Sequence, residues 1–175
     1  GGSATVHFPI WHQEIEDILV LKNNKGSEDN RVRKLDYSIQ ISKLFYERFL
    51  KNEDITLFSP HEVPGLYEAF GTEQFDEMYE KYERAYSIPK EKVNAQKLFM
   101  TLLKERAETG RIYIMNIDHA NSHSSFFEDE AKINMSNLCQ EITLPTTPLD
   151  SPNDEEGEIA LCILSAINVG QMTND

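Results

Sequence analysis

The sequence predicts an α/β fold, and three observations carry that expectation. Stretches alternating with a period of two are followed by stretches whose apolar residues recur at helical spacing. Two more, "RIYIMNI" and "IALCILS", are apolar on both faces, as strands covered on both sides of a sheet are. Turn residues punctuate the series, and no internal repeat appears.

In chain order, "ATVHF" sets Val6 and Phe8 between polar neighbours, the strand period. "HQEIEDILVL" places Ile15, Ile18 and Leu19 on one helical face, and "NNKGSEDNR" is turn chemistry. "LDYSIQI" alternates strictly, with Leu35, Tyr37, Ile39 and Ile41 on one side. Ser42 is placed to cap the next helix, whose buried stripe is Leu44, Phe45 and Phe49. "DITLFSP" is a short strand stopped by Pro60, and Pro64-Gly65 is a turn. Phe75, Met78, Tyr79 and Tyr82 mark a helix after Thr72. The clearest helix spans 90–108, with Ala95, Leu98, Phe99, Leu102 and Leu103 on one side and Gly110 as its stop. Residues 118–136 and 145–158 are polar loops. The 17 residues after the second loop begin with a buried-type strand that needs a sheet to join, so residues 1–175 are expected to be one domain, cut off in progress.

Charge and composition exclude several functions. With 30 acidic and 17 basic side chains the net charge is −13, which opposes a grip on nucleic acid. A hydrophobic content of 39% is that of a folded chain. No apolar run approaches the roughly 18–20 residues of a membrane span, and no signal peptide opens the chain. Two cysteines are too few for a disulfide scaffold, so a cytoplasmic setting is expected. The opening "GGSATV" lacks an initiator Met, as in a processed or tagged product or a piece of something longer.

The reactive side chains leave alternatives open. In "MSNLCQEI", Asn137, Cys139 and Glu141 stand at i, i+2 and i+4, so an extended segment would point an amide, a thiol and a carboxylate the same way. A carboxylate opposes thiolate formation, which makes Glu141 a poor helper for a nucleophilic cysteine but a suitable base for a substrate hydroxyl. Cys162 could meet that row only through folding, and by spacing alone each cysteine reads first as a small buried hydrophobe and only second as a site residue. His119 and His123 with Asp118, joined by His7 and His12, are a rival metal set; no CxxC or HExxH spacing supports it, so no metal is expected. The run Asp154-Glu155-Glu156 reads as a solvated loop.

"SNLCQEI" followed by "GEIALCILSAINVG" resembles the catalytic large subunit of class I ribonucleotide reductase, of the bacterial and phage type. So do "GGSATVHFPIWH", "RVRKLDYSIQISKLFYERFLKNEDITLFSPHEVPGLYEAF" and "ERAETGRIYIMNID", in the family's order, up to about Gly170. The resemblance implies part of a ten-stranded α/β barrel: the later part of one half-barrel, a finger loop at about 133–141, and the first strand of the next half. It implies that Cys139 becomes a thiyl radical that removes the substrate's 3′-hydrogen, and that Glu141 accepts the 3′-hydroxyl proton. Asn137 would hydrogen-bond the ribose, and Cys162 would be one of two cysteines that reduce the 2′ position and end as a disulfide. Gly1, Gly2 and Ser3 look like the tail of the loop that reports which effector occupies the specificity site.

The same resemblance places the partner of Cys162 before residue 1, and the radical-relay tyrosines, the phosphate loop and a C-terminal cysteine pair after Asp175. The implied partners are a ribonucleoside diphosphate, the rest of the large subunit, a metal-containing small subunit that supplies the radical, and thioredoxin or glutaredoxin as reductant. Nucleoside triphosphate effectors would bind mainly outside this segment, which itself would bind no cofactor. The alternative is a non-catalytic remnant serving as a binding or assembly module.

Overall fold

Alternating apolar residues in the first third of the chain make the centre of a parallel sheet. A computed structural model describes residues 3–23, 25, 27, 29, 31–32, 34–127 and 130–171; Gly1 and Gly2 lie outside them, and Ser3 is exposed just before the first strand. Strands β1 (Thr5–Pro9), β2 (Asp36–Ile41) and β5 (Ile112–Asn116) form a parallel sheet in the order β1-β2-β5, with Phe8 opposite Ile39 and Ile39 opposite Ile114. Parallel neighbours need crossover connections. Helix α1 (Ile15–Leu19) lies between β1 and β2, and α2 (Lys43–Lys51), α3 (Leu66–Ala69), α4 (Phe75–Arg84) and α5 (Ala95–Thr109) lie between β2 and β5. Strands β3 (Asp54–Leu57) and β4 (Glu91–Asn94) pair antiparallel as a separate ribbon, and α6 (Ile117–Ser122) follows β5 directly. Among the described residues no helix is long and apolar enough to cross a membrane.

The period of two sorts β2 into two chemically different faces. Ile39 and Ile41 join Ile15, Leu19, Phe45, Leu98, Leu102 and Ile112 in a core between the sheet and α1, α2 and α5. Leu35, expected on that side, is exposed at the strand's entrance. The opposite face carries Ser38 and Gln40, which are also buried. A second core gathers Trp11, Phe58, Phe70, Phe75 and Tyr79 with Met115, Ile117 and Ile133.

Four local expectations are corrected. The 90–108 helix starts only at Ala95, where Asn94 Oδ1 accepts from the Lys97 amide at 3.1 Å; the preceding four residues pair with β3 instead. Ser42 stands at the N-cap of α2 as expected, but its side chain makes no capping hydrogen bond, and the Asp118 carboxylate accepts from the Lys43 amide. The loop expected at 118–136 begins within α6, which carries His119 and is followed by His123 at its C-cap. The largest correction concerns "IALCILS": residues 159–168 form no strand, and Ile159, Leu161, Ile163, Leu164, Ile167 and Val169 are between 64% and 89% exposed. A run apolar on both faces requires strand partners and two covering layers. Here the nearest pairing is the single bridge between Thr147 and Glu158.

Close packing at Gly71 fixes where α6 sits. Gly71 has φ +88°, and a β-carbon there would come within 2.6 Å of Ile117 Cγ1 and 3.0 Å of Asn121 Nδ2. Asn121 in turn holds Ile133, accepting from its amide at 2.8 Å and donating to its carbonyl at 3.0 Å. Gly71→Ala is therefore expected to destabilise the chain by about 1–3 kcal/mol, from overpacking and the left-handed backbone together. Chemical denaturation measures the loss.

Candidate active site

The segment from Ile133 to Ile142 crosses the polar face of the parallel sheet, and side chains from that face hold it. Gln40 Nε2 donates to the Asn134 carbonyl at 2.5 Å, and Thr5 Oγ1 donates to the Leu138 carbonyl at 2.6 Å. His7 Nε2 lies 3.2 Å from the carbonyl oxygen and 3.4 Å from the amide nitrogen of Ser136. Burial pushes the His7 imidazole below its ordinary value, against the opposing pull of that carbonyl, so it sits neutral under the loop. Ser38 Oγ donates to Gln140 Oε1 at 2.6 Å, and Gln140 Nε2 donates to the Ile114 carbonyl at 2.7 Å. Loop backbone laid over a sheet face must find partners for its carbonyls. Thr5 and Gln40 supply them, and His7 Nε2 meets either the carbonyl or the amide of Ser136 according to its tautomer.

The tip is a turn and not the extended segment that spacing suggests. The Gln140 amide donates to the Asn137 carbonyl at 3.2 Å, and Gln140 adopts a left-handed φ of +68°. Asn137 consequently turns inward: it is 6% exposed, and its Oδ1 accepts from the Ile142 amide at 3.0 Å and from Ser136 Oγ at 3.2 Å. Its Nδ2 is buried with no hydrogen-bond partner. Cys139 and Glu141 flank Gln140 and are both exposed.

Cys162 comes to this tip although its segment is not a strand. Its thiol donates to Glu141 Oε1 at 3.3 Å, within the reach of a sulfur donor. The bond to the carboxylate pushes the thiol's pKa up, and desolvation and the charges of Glu141 and Cys139 add to the rise. The Glu141 carboxyl is held below its ordinary range, first by the Asn137 side-chain amide, then by its own backbone and the Cys162 thiol. The amide acts as a nearby dipole, since no hydrogen bond of good geometry joins Asn137 Nδ2 to it. At neutral pH the arrangement is thus a carboxylate base beside a protonated thiol.

Asn137, Cys139, Glu141 and Cys162 therefore meet at one place, while the rival histidine set does not. Asp118 is engaged at the start of α2, and the His119 and His123 rings pack edge-on with centroids 5.4 Å apart. His7 lies under the loop. His12 Nδ1 accepts from the Glu14 amide at 3.1 Å. Among the described residues no group of three or more His, Cys, Asp or Glu side chains is arranged to hold a metal ion.

Residues 1–175 match the family model for the ribonucleotide reductase barrel domain. The chain belongs to that family. It is 57% identical over 176 aligned positions to the ribonucleoside-diphosphate reductase subunit alpha of Haemophilus influenzae, covering 99% of this chain and 23% of that relative. It is 58% identical over 152 positions to the ribonucleoside-diphosphate reductase 1 subunit alpha of Escherichia coli K12, covering 86% and 20%. The ribonucleoside-diphosphate reductase subunit alpha of Enterobacteria phage T4 is 49% identical over 169 positions, covering 95% and 22%. The chain thus spans less than a quarter of the length of the curated relatives it matches. The parallel α/β sheet with its outer helices agrees with a part of a barrel.

Sequence reasoning did not single out Thr5, Ser38, Gln40, Asn121 or Gln140 for the site. The one available signal was the pair of polar residues on the second face of β2, which a half-exposed strand would show equally well.

Proposed function

We propose that residues 1–175 form part of one catalytic barrel domain of a ribonucleoside-diphosphate reductase and carry its radical thiol and substrate base. The observation that carries this reading is the meeting of Cys162 with Glu141 on the loop that holds Asn137 and Cys139. These are an amide, two thiols and a carboxylate, groups able to move a hydrogen atom and a proton at one ribose and to supply one half of a reducing dithiol.

In the proposed reaction the Cys139 sulfur, as a radical, takes the hydrogen atom from C3′ and becomes a thiol. Glu141, kept ionised by its neighbours, takes the 3′-hydroxyl proton. The 2′-hydroxyl then leaves as water with a proton from the dithiol that includes Cys162. The two sulfurs join as a disulfide, and their two electrons and remaining proton complete reduction at C2′. Glu141 gives its proton back to the 3′-oxygen, and Cys139 returns its hydrogen atom to C3′ and is again a radical. The buried, unpartnered Nδ2 of Asn137 is suited to donate to a ribose oxygen. The second cysteine of the dithiol, the radical-supplying small subunit, the thioredoxin or glutaredoxin that resets the disulfide, and the nucleoside triphosphate effectors are all supplied from outside this chain in this reading. The exposed apolar run 159–169 would be covered by the rest of the barrel, and the setting would be cytoplasmic.

The test uses a complete subunit carrying this segment, its small subunit and a 3′-tritiated ribonucleoside diphosphate. Deoxynucleotide formation is expected, with a part of the tritium lost to water by exchange from the Cys139 thiol before the hydrogen is returned. Glu141→Gln should slow turnover about 10²–10⁴-fold, the range for loss of a positioned base. An unchanged rate in that variant would remove Glu141 from the chemistry.

A further inference from the structure

Gln140 lies between the two groups proposed to act on the substrate, yet it points the other way. Cys139 and Glu141 are exposed, whereas the Gln140 side chain is half-buried against the sheet. Both ends of its amide are used there, on adjacent strands: Oε1 accepts from Ser38 Oγ in β2 and Nε2 donates to the Ile114 carbonyl in β5. Bridging a hydroxyl donor and a carbonyl acceptor takes a neutral amide; a carboxylate only accepts, and an aliphatic chain does neither. We infer that Gln140 is a positioning residue, clamping the loop tip to β2 and β5 so that the Cys139 sulfur and Glu141 carboxylate are presented at a fixed place.

Three further observations agree. Ser38 is fully buried in the sheet, where a hydroxyl needs a partner, and Gln140 satisfies it. The left-handed backbone of Gln140 is unfavourable for a residue with a β-carbon, and such a conformation persists where the surroundings over-determine it. The tethers from Gln40 and Thr5 hold Asn134 and Leu138, on the approach to the tip, so the clamp at Gln140 is the side-chain contact to the sheet between Cys139 and Glu141. Hydrogen-atom transfer is steep in distance and angle, and a displacement of about 1 Å at a reacting group can cost about 100-fold in rate.

The inference rests on the catalytic reading proposed above, so its test has one readout that uses the chemistry and one that does not. In the complete subunit, Gln140→Leu keeps the volume and removes both hydrogen bonds. It should raise amide hydrogen exchange across 137–142, and should lower kcat about 10- to 100-fold while changing KM much less. Ser38→Ala should lower kcat in the wild-type background and change nothing further in the Gln140→Leu background, as expected for two partners in one contact. Unchanged exchange in Gln140→Leu would overturn the clamp whatever the activity. Raised exchange with unchanged kcat, or additive losses in the double variant, would overturn its role in positioning. A wild-type subunit that clamps the loop but reduces no ribonucleotide would refute the catalytic reading instead, and with it the positioning role.

Discussion

Cys139→Ser in a complete, radical-loaded reductase is expected to release no tritium from a 3′-tritiated ribonucleotide and still to bind that nucleotide. A serine O–H bond is much stronger than a thiol S–H bond, so the same relay cannot make an oxygen radical there. About 5.5 kcal/mol of added barrier already lowers a rate by four orders of magnitude, and turnover should fall by at least roughly that. Binding should survive because Cys139 is exposed and the loop is held by Gln40, Thr5 and Gln140, none of which the substitution touches. Cys162→Ser should fail differently. In the proposed reaction hydrogen removal by Cys139 precedes any need for the dithiol, so tritium should still appear, but no disulfide can form to supply the two electrons. The sugar should then decompose and release free base, with no deoxynucleotide. Following tritium, base and deoxynucleotide in one incubation separates the roles. Normal deoxynucleotide yield from either variant would show that the two thiols are wrongly assigned.

What could be read in advance was whatever local pattern dictates. Tyr37, Ile39 and Ile41 alternate because one face of β2 meets helices, and that period is visible in seven residues. What covers Ser38 and Gln40 is not visible in the sequence, because polar alternation looks alike whether water or a loop some hundred residues later covers it. The start of α5 was placed too early because "EKVN" has no helix-breaking residue; only its pairing with β3 makes it a strand. "IALCILS" has the composition of a buried strand, but composition states a demand for neighbours and does not supply them. At the site, spacing alone left both cysteines as ordinary small hydrophobes. Their special status came from resemblance, and the contact of Cys162 with Glu141 from the fold. Gln140 carried no sequence signal, since its role depends on a left-handed turn and two strands far away in the chain.

Glu83→Ala is expected to destabilise the chain by about 1–3 kcal/mol, below the range for stripping one partner from a fully buried ion pair because both side chains keep some exposure. Glu83 on α4 receives a two-pronged bond from Arg48 on α2, both contacts at 2.6 Å, and a third from Thr56 Oγ1 in β3 at 2.6 Å. The two side chains are only 12% and 16% exposed, and the guanidinium also lies 5.2 Å from the centre of the Tyr79 ring. Removing the carboxylate leaves a largely buried cation and a buried hydroxyl without it, whereas replacing both charges with apolar residues of similar volume should cost far less. The pH dependence has a definite sign. Burial raises the Glu83 pKa, but the bonds from Arg48 and Thr56 outweigh burial and leave it below the ordinary carboxylate range. A carboxyl with a depressed folded pKa contributes stability that is fully present above its unfolded value, about 4.3, and is lost as pH falls through the folded one. Urea unfolding between pH 7 and 3 should therefore show an acid limb that is flattened in Glu83→Gln. An identical pH slope in that variant would mean that the bridge between α2, β3 and α4 contributes nothing to the chain's acid sensitivity.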